Sequence, residues 1–316
     1  MTVHSATFRA TPADRRPDPS TVTIMALNAE FLWDGVAPEE GHERVSFPWR
    51  GNPVEAERHM RDVAGVITAS DPDVVVLCEV ENSDALDLFN EQYLAGRGYR
   101  AYLHDGLDVD TGHDVGLLTR VDPIETGYYS GFGSYDGVRK GLAKNIFAKI
   151  RVGDLKLGLV GVHLVARPDD RSRRAAREAQ AVALRTLALT LRKTGFLPVL
   201  CGDFNDYDGN AECVDVADSF PLSRVLRIAR ELDPRDSRDD LVNAAEYVPK
   251  VSRYTVHCDL NRNGREDRGD RFTSIDHILL ANELEPLIER VDILHDHDPT
   301  RVTNHFPIVV RLRVDR

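Results

Sequence analysis

The chain has 316 residues, a hydrophobic fraction of 42% and a formal net charge of −12 at pH 7. This is an ordinary globular composition, and no apolar run approaches the ~20 residues that a membrane-spanning helix needs. The acidic balance opposes tight, sequence-independent binding to nucleic acid, because such binding depends on Lys and Arg neutralising phosphates. The four cysteines have neither zinc-ligand nor disulfide-framework spacing, which fits a reducing compartment.

The first 21 residues are polar and include Arg15-Arg16-Pro17. They lack the apolar stretch of a signal peptide, so we predict a flexible tail over residues 1–21. The missing signal favours a cytoplasmic protein, with secretion left open. The candidate site residues extend from residue 28 to residue 305, so dividing the chain into two domains would separate them. We therefore predict one domain over residues 22–316, and we expect a monomer.

Apolar and β-branched runs predict strands, and three longer segments predict helices. The helices are predicted at residues 54–70, 83–95 and 170–193, where apolar residues recur at helical spacing. Mixed strands with helices on the outside predict two packed β-sheets flanked by helices, an α/β sandwich. The predicted strands are residues 22–28, 73–79, 99–104, 114–120, 145–151, 155–163, 197–202, 273–280, 291–294 and 307–313.

In the first half of the chain, several predicted strands end in polar side chains. The first ends in Asn28 and Glu30, which are two residues apart and therefore share a face. The second delivers Glu79, and the strand at residues 155–163 ends in His163. Glutamates are hard oxygen ligands, which suit Mg²⁺ or Mn²⁺ rather than Zn²⁺.

The most informative segment is Gly-Asp-Phe-Asn-Asp, which follows the buried run 196–200. It places Asp203 and Asn205 on one face where a strand opens into a loop, and such a position is a usual place for chemistry. Later strands carry Asp276, within Ser-Ile-Asp-His, and His305, within Asn-His-Phe-Pro.

In these motifs the chain resembles the endonuclease/exonuclease/phosphatase superfamily, which includes pancreatic-type DNases, apurinic endonucleases, sphingomyelinases, inositol-polyphosphate phosphatases and deadenylases. The similar segments are LCEVEN, GVHL, GDFND, SIDHILL and NHFP, and they stand in the family's order over nearly the whole chain. DPDVVVLCEVEN and HDVGLLTR are most similar to bacterial extracellular-type deoxyribonucleases. The resemblance implies a DNase-like, four-layer α/β sandwich.

The resemblance also implies a divalent-metal-dependent phosphodiesterase that acts on nucleic acid, on DNA rather than RNA. Glu79 would bind Mg²⁺ or Mn²⁺, assisted by Asn28 and Glu30. Asp203 would orient or deprotonate the attacking water, and Asn205 would donate a hydrogen bond to a phosphate oxygen.

Further residues complete the implied acid–base set. His305, held by Asp276, would contact the phosphate, and His163 is a second candidate acid near the leaving oxygen. Less specific matches suggest Asp105 as a partner of His163 and Arg139 as a phosphate contact. One position departs from the family, because Asn304 stands where an Asp usually precedes the last His, and an amide supplies no negative charge.

A basic cluster follows His163 and has two interpretations. It is either a solvated helix face or a rim that steers a polyanion toward the metal. It contains Arg167, Arg171, Arg173, Arg174 and Arg177.

A separate signal begins at Asp259. Numbered from there, oxygen-bearing side chains stand at positions 1, 3, 5, 9 and 12, with Gly at 6, which is the pattern of a calcium loop. Position 7 would contribute its backbone carbonyl. The alternative is a polar turn without an ion. The predicted structural calcium ligands are Asp259, Asn261, Asn263, Arg265, Asp267 and Asp270.

Three hypotheses about function stay open at this stage. The first is a metal-dependent nuclease, most readily a DNase. The second, motivated by the acidic charge, is a phosphatase or phosphodiesterase for a small phosphorylated molecule or a phospholipid headgroup. The third is a non-catalytic binding module, for which the only support is Asn304.

Overall fold

Seven strands form the first large sheet of the computed structural model, which describes residues 3–8, 12–36, 47, 49–108, 111–213 and 223–314. Parallel pairing joins its two central strands, and the other pairs are antiparallel. In spatial order the strands are β1 (Val3–Thr7), β6 (Glu125–Tyr129), β9 (Lys144–Val152), β10 (Leu155–His163), β11 (Leu197–Asp203), β15 (Asp276–Leu280) and β12 (Val242–Asn243).

Six strands form the second large sheet, which is also mixed. Two short hairpins add to the edges of the fold: β7 (Phe132–Tyr135) with β8 (Val138–Gly141), and β13 (Val256–Cys258) with β14 (Arg271–Thr273). The second sheet runs β16 (Ile288–Ile293), β17 (Ile308–Arg313), β2 (Thr21–Leu32), β3 (Val74–Val80), β5 (Asp114–Thr119) and β4 (Arg100–Leu103).

Helices cover the outer faces of both sheets. Asn52 and Asn82 accept hydrogen bonds from first-turn amides, which caps the two helices on the second sheet. The α-helices are α1 (Pro53–Ser70), α2 (Ser83–Tyr93), α3 (Arg174–Lys193) and α4 (Val225–Arg230). Short 3₁₀ segments are Arg171–Arg173, Ser237–Asp239, Ala244–Tyr247, Lys250–Ser252 and Asn282–Leu287. Helices α1 and α2 pack on the second sheet, and α3 and α4 pack on the first.

The inner faces of the two sheets pack directly on each other. Gly161 in β10 has no room for a side chain, since a Cβ there would lie 2.8 Å from Val76 and 2.9 Å from Val115 of the opposite sheet. Close packing of this kind fixes the distance between the sheets, and therefore the geometry of any site that draws residues from both. The predicted four-layer α/β sandwich is confirmed.

The N-terminal segment differs from its prediction. The backbone of residues 3–7 pairs with the edge strand β6, and the isolated bridge of Asp14 with Val121 fastens the chain further on. The prediction of a loose tail is therefore wrong for these residues. Their side chains are exposed, so the strand carries no hydrophobic alternation that would have indicated it. The single domain over residues 22–316 stays a prediction. Within the described ranges, no helix combines the length and apolarity needed to cross a membrane.

Candidate active site

Three of the predicted residues lie side by side at one end of the first sheet. The register pairs His163 at the end of β10 with Asp203 at the end of β11, and Asp203 with Asp276 at the start of β15. All three residues are buried. Neighbouring strands lie about 4.8 Å apart, so this register alone brings the three side chains together.

The second sheet contributes through two irregular strand ends. The register between β2 and β3 shifts after Asn28, and the register between β3 and β5 shifts around Glu79. Glu30 and Glu79 have positive φ angles of 50° and 63°, a conformation that side-chain-bearing residues seldom adopt. Such bulges re-aim side chains and are frequent beside functional sites.

Side chains from the two sheets meet at Asn28. Its amide nitrogen lies 3.2 Å from Oε1 of Glu79 and 3.1 Å from Oδ2 of Asp203. Nε2 of His163 lies 3.6 Å from the same Asp203 oxygen and 3.9 Å from the same Glu79 oxygen. Residues separated by 175 positions therefore share one pocket.

Asp276 and His305 form a buried ion pair. Nδ1 of His305 lies 2.8 Å from Oδ2 of Asp276, and ligand atoms of this pair and of Asp203 all fall within 4.8 Å of one another. Burial by itself would lower the pKa of His305, but the Asp276 carboxylate outweighs it and raises that pKa to about 10. His305 is therefore a cation at neutral pH.

The environment of Asp203 favours its protonated form. Burial first, and then the charge of Asp276, raise its pKa to about 7. Its Oδ1 accepts the backbone N–H of Asn205 at 2.8 Å, while the Asn205 amide donates to the carbonyl of Leu164 at 3.2 Å. Asn205 is thus held beside Asp203, with one of its two amide hydrogens committed to the backbone.

Glu30 and Asn304 meet at the edge of the pocket. Oε2 of Glu30 accepts the backbone N–H of Asn304 at 2.9 Å, and burial raises the pKa of Glu30. The Asn304 amide instead donates to the carbonyl of His257 at 3.3 Å. The Asn304 side chain therefore bonds to the backbone of His257. Its presence where the family usually has Asp leaves the other contacts of the site in place.

Two residues that the sequence analysis missed adjoin His163. His113 is buried with its ring centroid 5.6 Å from that of His163, and Nζ of Lys144 lies 3.3 Å from Nε2 of His113. Lys144 also pairs with Asp108 at 3.1 Å and stands opposite His163 in the β9–β10 register. Burial, and then the charge of Lys144, lower the pKa of His163 well below its usual range, so its ring is neutral. The GLAKNIF segment could have indicated Lys144, because it begins the strand that pairs with the His163 strand.

Two less specific predictions take other positions. The guanidinium of Arg139 stacks 4.4 Å over the ring of Phe132, which turns it toward its own hairpin, and Lys144 provides the cation beside His163 instead. Asp105 is exposed, because the turn after β4 is held by the Gly106 amide donating to Asp114 at 3.0 Å. Nδ1 of His163 is buried and finds no hydrogen-bond partner among the residues described.

The basic cluster after His163 is not a uniform surface. Arg177 is fully buried, with its Nε 3.0 Å from Oδ2 of Asp206 and its other nitrogens donating to the carbonyls of Arg167 and Pro168 at 3.0 and 2.9 Å. It anchors the loop that follows Asp203, through Asp206, and therefore cannot steer a substrate. Arg173 remains half-exposed and lines a cavity of about 440 Å³ beside His163.

The donor set in the pocket fits a hard divalent cation. The Glu79 and Asp203 carboxylates approach the same Asn28 amide, beside a neutral His163, and the nearby His305 imidazolium is already paired with Asp276 at 2.8 Å. Carboxylate oxygens at such spacing suit Mg²⁺ or Mn²⁺. Glu79 also groups with His113 and His163 within 4.8 Å, but the Lys144 ammonium disfavours a cation on that side.

Comparisons with known proteins identify the family of the chain. The model of the Endonuclease/Exonuclease/phosphatase family matches residues 25–305. A search of curated proteins found no match.

Solved structures share the fold at low sequence identity. The 3'-5' exonuclease NExo from Neisseria meningitidis has a TM-score of 0.60 at 16% identity, covering 93% of this chain and 100% of its own. TDP2 of D. rerio, complexed with single strand DNA product, has a TM-score of 0.55 at 16% identity, covering 93% and 100%. A family protein from Bacteroides thetaiotaomicron has a TM-score of 0.55 at 14% identity, covering 97% and 100%. The chain belongs to the endonuclease/exonuclease/phosphatase family of metal-dependent phosphodiesterases and nucleases, and it is a phosphoesterase.

Proposed function

We propose that this protein is a divalent-metal-dependent phosphodiesterase that hydrolyses nucleic acid, with DNA favoured over RNA. The observation that carries the proposal is the convergence of Asn28 and Glu79 from one sheet with His163, Asp203 and the Asp276–His305 pair at the end of the other. A phosphodiester needs charge neutralisation, an oriented water and stabilisation of the leaving oxygen, and this set contains groups suited to each task.

The metal would be Mg²⁺ or Mn²⁺, held by Glu79 with Asn28 and Glu30 beside it. When bound, such an ion supplies charge neutralisation to the phosphate. In the structure Asn28 presents its amide nitrogen to Glu79, and Glu30 binds the Asn304 backbone, so both contribute first by positioning.

Protein groups supply the remaining chemistry. Asp203 orients the attacking water and accepts its proton. The His305 imidazolium, fixed by Asp276 at 2.8 Å, donates a hydrogen bond to a phosphate oxygen. Asn205 offers its second amide hydrogen to the same phosphate, and neutral His163 stands on the side of the leaving oxygen.

A cationic cavity beside His163 supports a polyanionic substrate. Lys140, Lys144 and Arg173 line it together with one acid, Asp108, which pairs with Lys144, and it has a volume of about 440 Å³. Local positive charge can attract phosphates even where the net charge is −12. The DNA product bound to the structurally similar TDP2 gives further support to DNA as the substrate.

A small phosphorylated molecule or a phospholipid headgroup is the second candidate. The net charge of −12 opposes long contacts with a nucleic acid backbone, and a cavity of about 440 Å³ lies within the range of ordinary small-ligand pockets.

A substrate panel tests the proposal. Plasmid DNA, single-stranded DNA and RNA, inositol phosphates and phospholipid vesicles would be incubated with the full chain and Mg²⁺ or Mn²⁺. We expect DNA cleavage that falls about 10²–10⁴-fold in Asp203→Asn and in His305→Gln. Asp154→Asn, which alters an exposed carboxylate in the β9–β10 turn, should retain wild-type rates. Turnover confined to the small or lipid substrates would replace nucleic acid with the second candidate, and no turnover at all would refute both.

A further inference from the structure

The β13–β14 hairpin carries a twelve-residue loop, Asp259–Asp270, that takes no part in the proposed chemistry. We propose that this loop is a structural calcium site, separate from the catalytic metal centre. The inference rests on the loop's own groups and does not depend on the proposed function.

The oxygen-bearing residues of the loop form hydrogen bonds within the loop. Asp259 at position 1 accepts the backbone N–H groups of Asn263 at 3.2 Å and Gly264 at 2.8 Å. Asp267 at position 9 accepts the side-chain amides of Asn261 at 2.9 Å and Asn263 at 2.6 Å. These hydrogen bonds link position 1 to the backbone of positions 5 and 6, and position 9 to the side chains of positions 3 and 5. Gly264 at position 6 has φ +70°, which permits the sharp turn that a calcium loop requires.

The strongest evidence for a missing ligand comes from Asp270 at position 12. Its side chain is fully excluded from solvent, although it closes an exposed loop. One carboxylate oxygen accepts Nε2–H of His257 and the backbone N–H of Asp267, both at 2.8 Å. The other oxygen, Oδ1, is buried and has no hydrogen-bond donor within the described ranges. A buried, unsatisfied carboxylate oxygen is costly, and a cation in the loop would satisfy it.

The chemistry of the loop selects calcium. Three carboxylates, two side-chain amides and the carbonyl of Arg265 form an all-oxygen set on a flexible loop, whereas Mg²⁺ demands octahedral geometry and retains its waters. Asp at position 12 is shorter than the usual bidentate Glu, and three Arg side chains in the loop oppose a cation. We therefore expect a weak site, with a Kd of about 10⁻⁴–10⁻³ M, as in extracellular modules.

The loop is joined to the catalytic segment through His257. Besides contacting Asp270, His257 accepts the Asn304 amide on its carbonyl and donates its backbone N–H to the Asn304 carbonyl at 2.8 Å. The preceding strand residue, Val256, forms a bridge with His305. Calcium would thus stiffen the hairpin that supports His305 without touching the reacting atoms.

Calorimetric titration and thermal unfolding test the site. The full chain, stripped with EGTA and saturated with 5 mM Mg²⁺ to occupy the catalytic centre, would be titrated with CaCl₂. We expect one calcium per chain and a rise in Tm of about 2–4 °C at ten times Kd. Asp259→Asn and Asp267→Asn should each lose both effects while keeping the wild-type circular dichroism spectrum. Asp236→Asn, a partly exposed carboxylate with a similar backbone contact outside the loop, should keep both.

The outcomes separate this proposal from the proposed function. Absence of calcium binding in the wild-type protein up to 10 mM, or full binding by both loop variants, would overturn the calcium site even if the protein cleaves DNA. Calcium binding without hydrolysis of any substrate would refute the proposed function and leave the site established.

Discussion

Replacing Asp276 with Asn removes the carboxylate that holds His305 as a cation. The pKa of His305 is about 10 because this buried carboxylate outweighs the effect of burial, which alone would lower it below 6.5. Asp276→Asn should therefore lower the pKa of His305 by about 1–3 units, since Asp203 and Glu79 still raise it, equivalent to about 1.4–4 kcal/mol between its charged and neutral forms. The ring also loses the partner that fixes its orientation, and phosphodiester hydrolysis at pH 7 should fall about 10²–10⁴-fold.

The same change alters the dependence of stability on pH. The folded-state pKa of His305 lies above its unfolded value, so its contribution to the free energy of unfolding is fully present below pH 6.5 and is lost as pH rises through about 10. The destabilisation by Asp276→Asn should accordingly be largest near pH 6 and shrink toward pH 10.

Nuclear magnetic resonance of the metal-free protein measures the pKa of His305 directly. The 11 histidines give separate imidazole signals, and His305→Gln assigns the relevant one. Asp298→Asn, an exposed carboxylate shortly before His305 in the chain, should leave the titration unchanged. A wild-type His305 that titrates near 6.5, or an unchanged pKa in Asp276→Asn, would refute the reasoning.

Three further changes probe the supporting structure. Arg177→Met should lower the free energy of unfolding by about 3–5 kcal/mol and Tm by about 5–8 °C, because it leaves the buried Asp206 carboxylate without its cation. Arg173→Met, the control, should change Tm little. Equal effects of the two variants on Tm would contradict the burial of Arg177. His59 is buried, which lowers its pKa to about 4. Because the unfolded chain binds a proton there first, the free energy of unfolding should fall by about 3 kcal/mol as pH decreases from 6.5 to 4. Urea titrations of His59→Gln at several pH values should lack this dependence on pH. Asn304→Asp should lower the free energy of unfolding by about 1–3 kcal/mol, because a carboxylate oxygen would face the His257 carbonyl. Titration with Mg²⁺ should show no tighter binding in this variant. A tenfold gain in Mg²⁺ affinity would support a ligand role for this position.

The strand ends could be predicted from sequence because burial and polarity change there within one or two residues. The run before Asp203 is fully apolar, whereas Asn205 lies beyond the end of β11 with a φ of 49° and is held beside Asp203 through its own backbone N–H. What sequence does not give is the register, which makes His163 and Asp276 the neighbours of Asp203 on either side.

The unpredicted features have a common cause, which is that tertiary contacts decide them. Arg177 has the sequence context of a solvated helix residue, yet the buried Asp206 makes it an internal anchor. Lys144 and His113 meet only through the tertiary fold. Lys144 begins β9, which pairs with the His163 strand, and His113 directly precedes β5 of the facing sheet. The positive φ of Glu79 follows from a bulge that composition does not reveal.

The Gly-Asp-Phe-Asn-Asp segment shows how one short stretch serves both chemistry and stability. Asp203 and Asn205 face the pocket, whereas Phe204 is fully buried and Asp206 is tied to Arg177 and to the hydroxyl of Ser223. Because the two sets alternate, a shift of the anchoring residues moves the catalytic ones with them. Arg177→Met should therefore reduce the rate of hydrolysis even at temperatures where the variant is fully folded. Unchanged kinetics in that folded variant would show that Asp203 is positioned by the sheet alone.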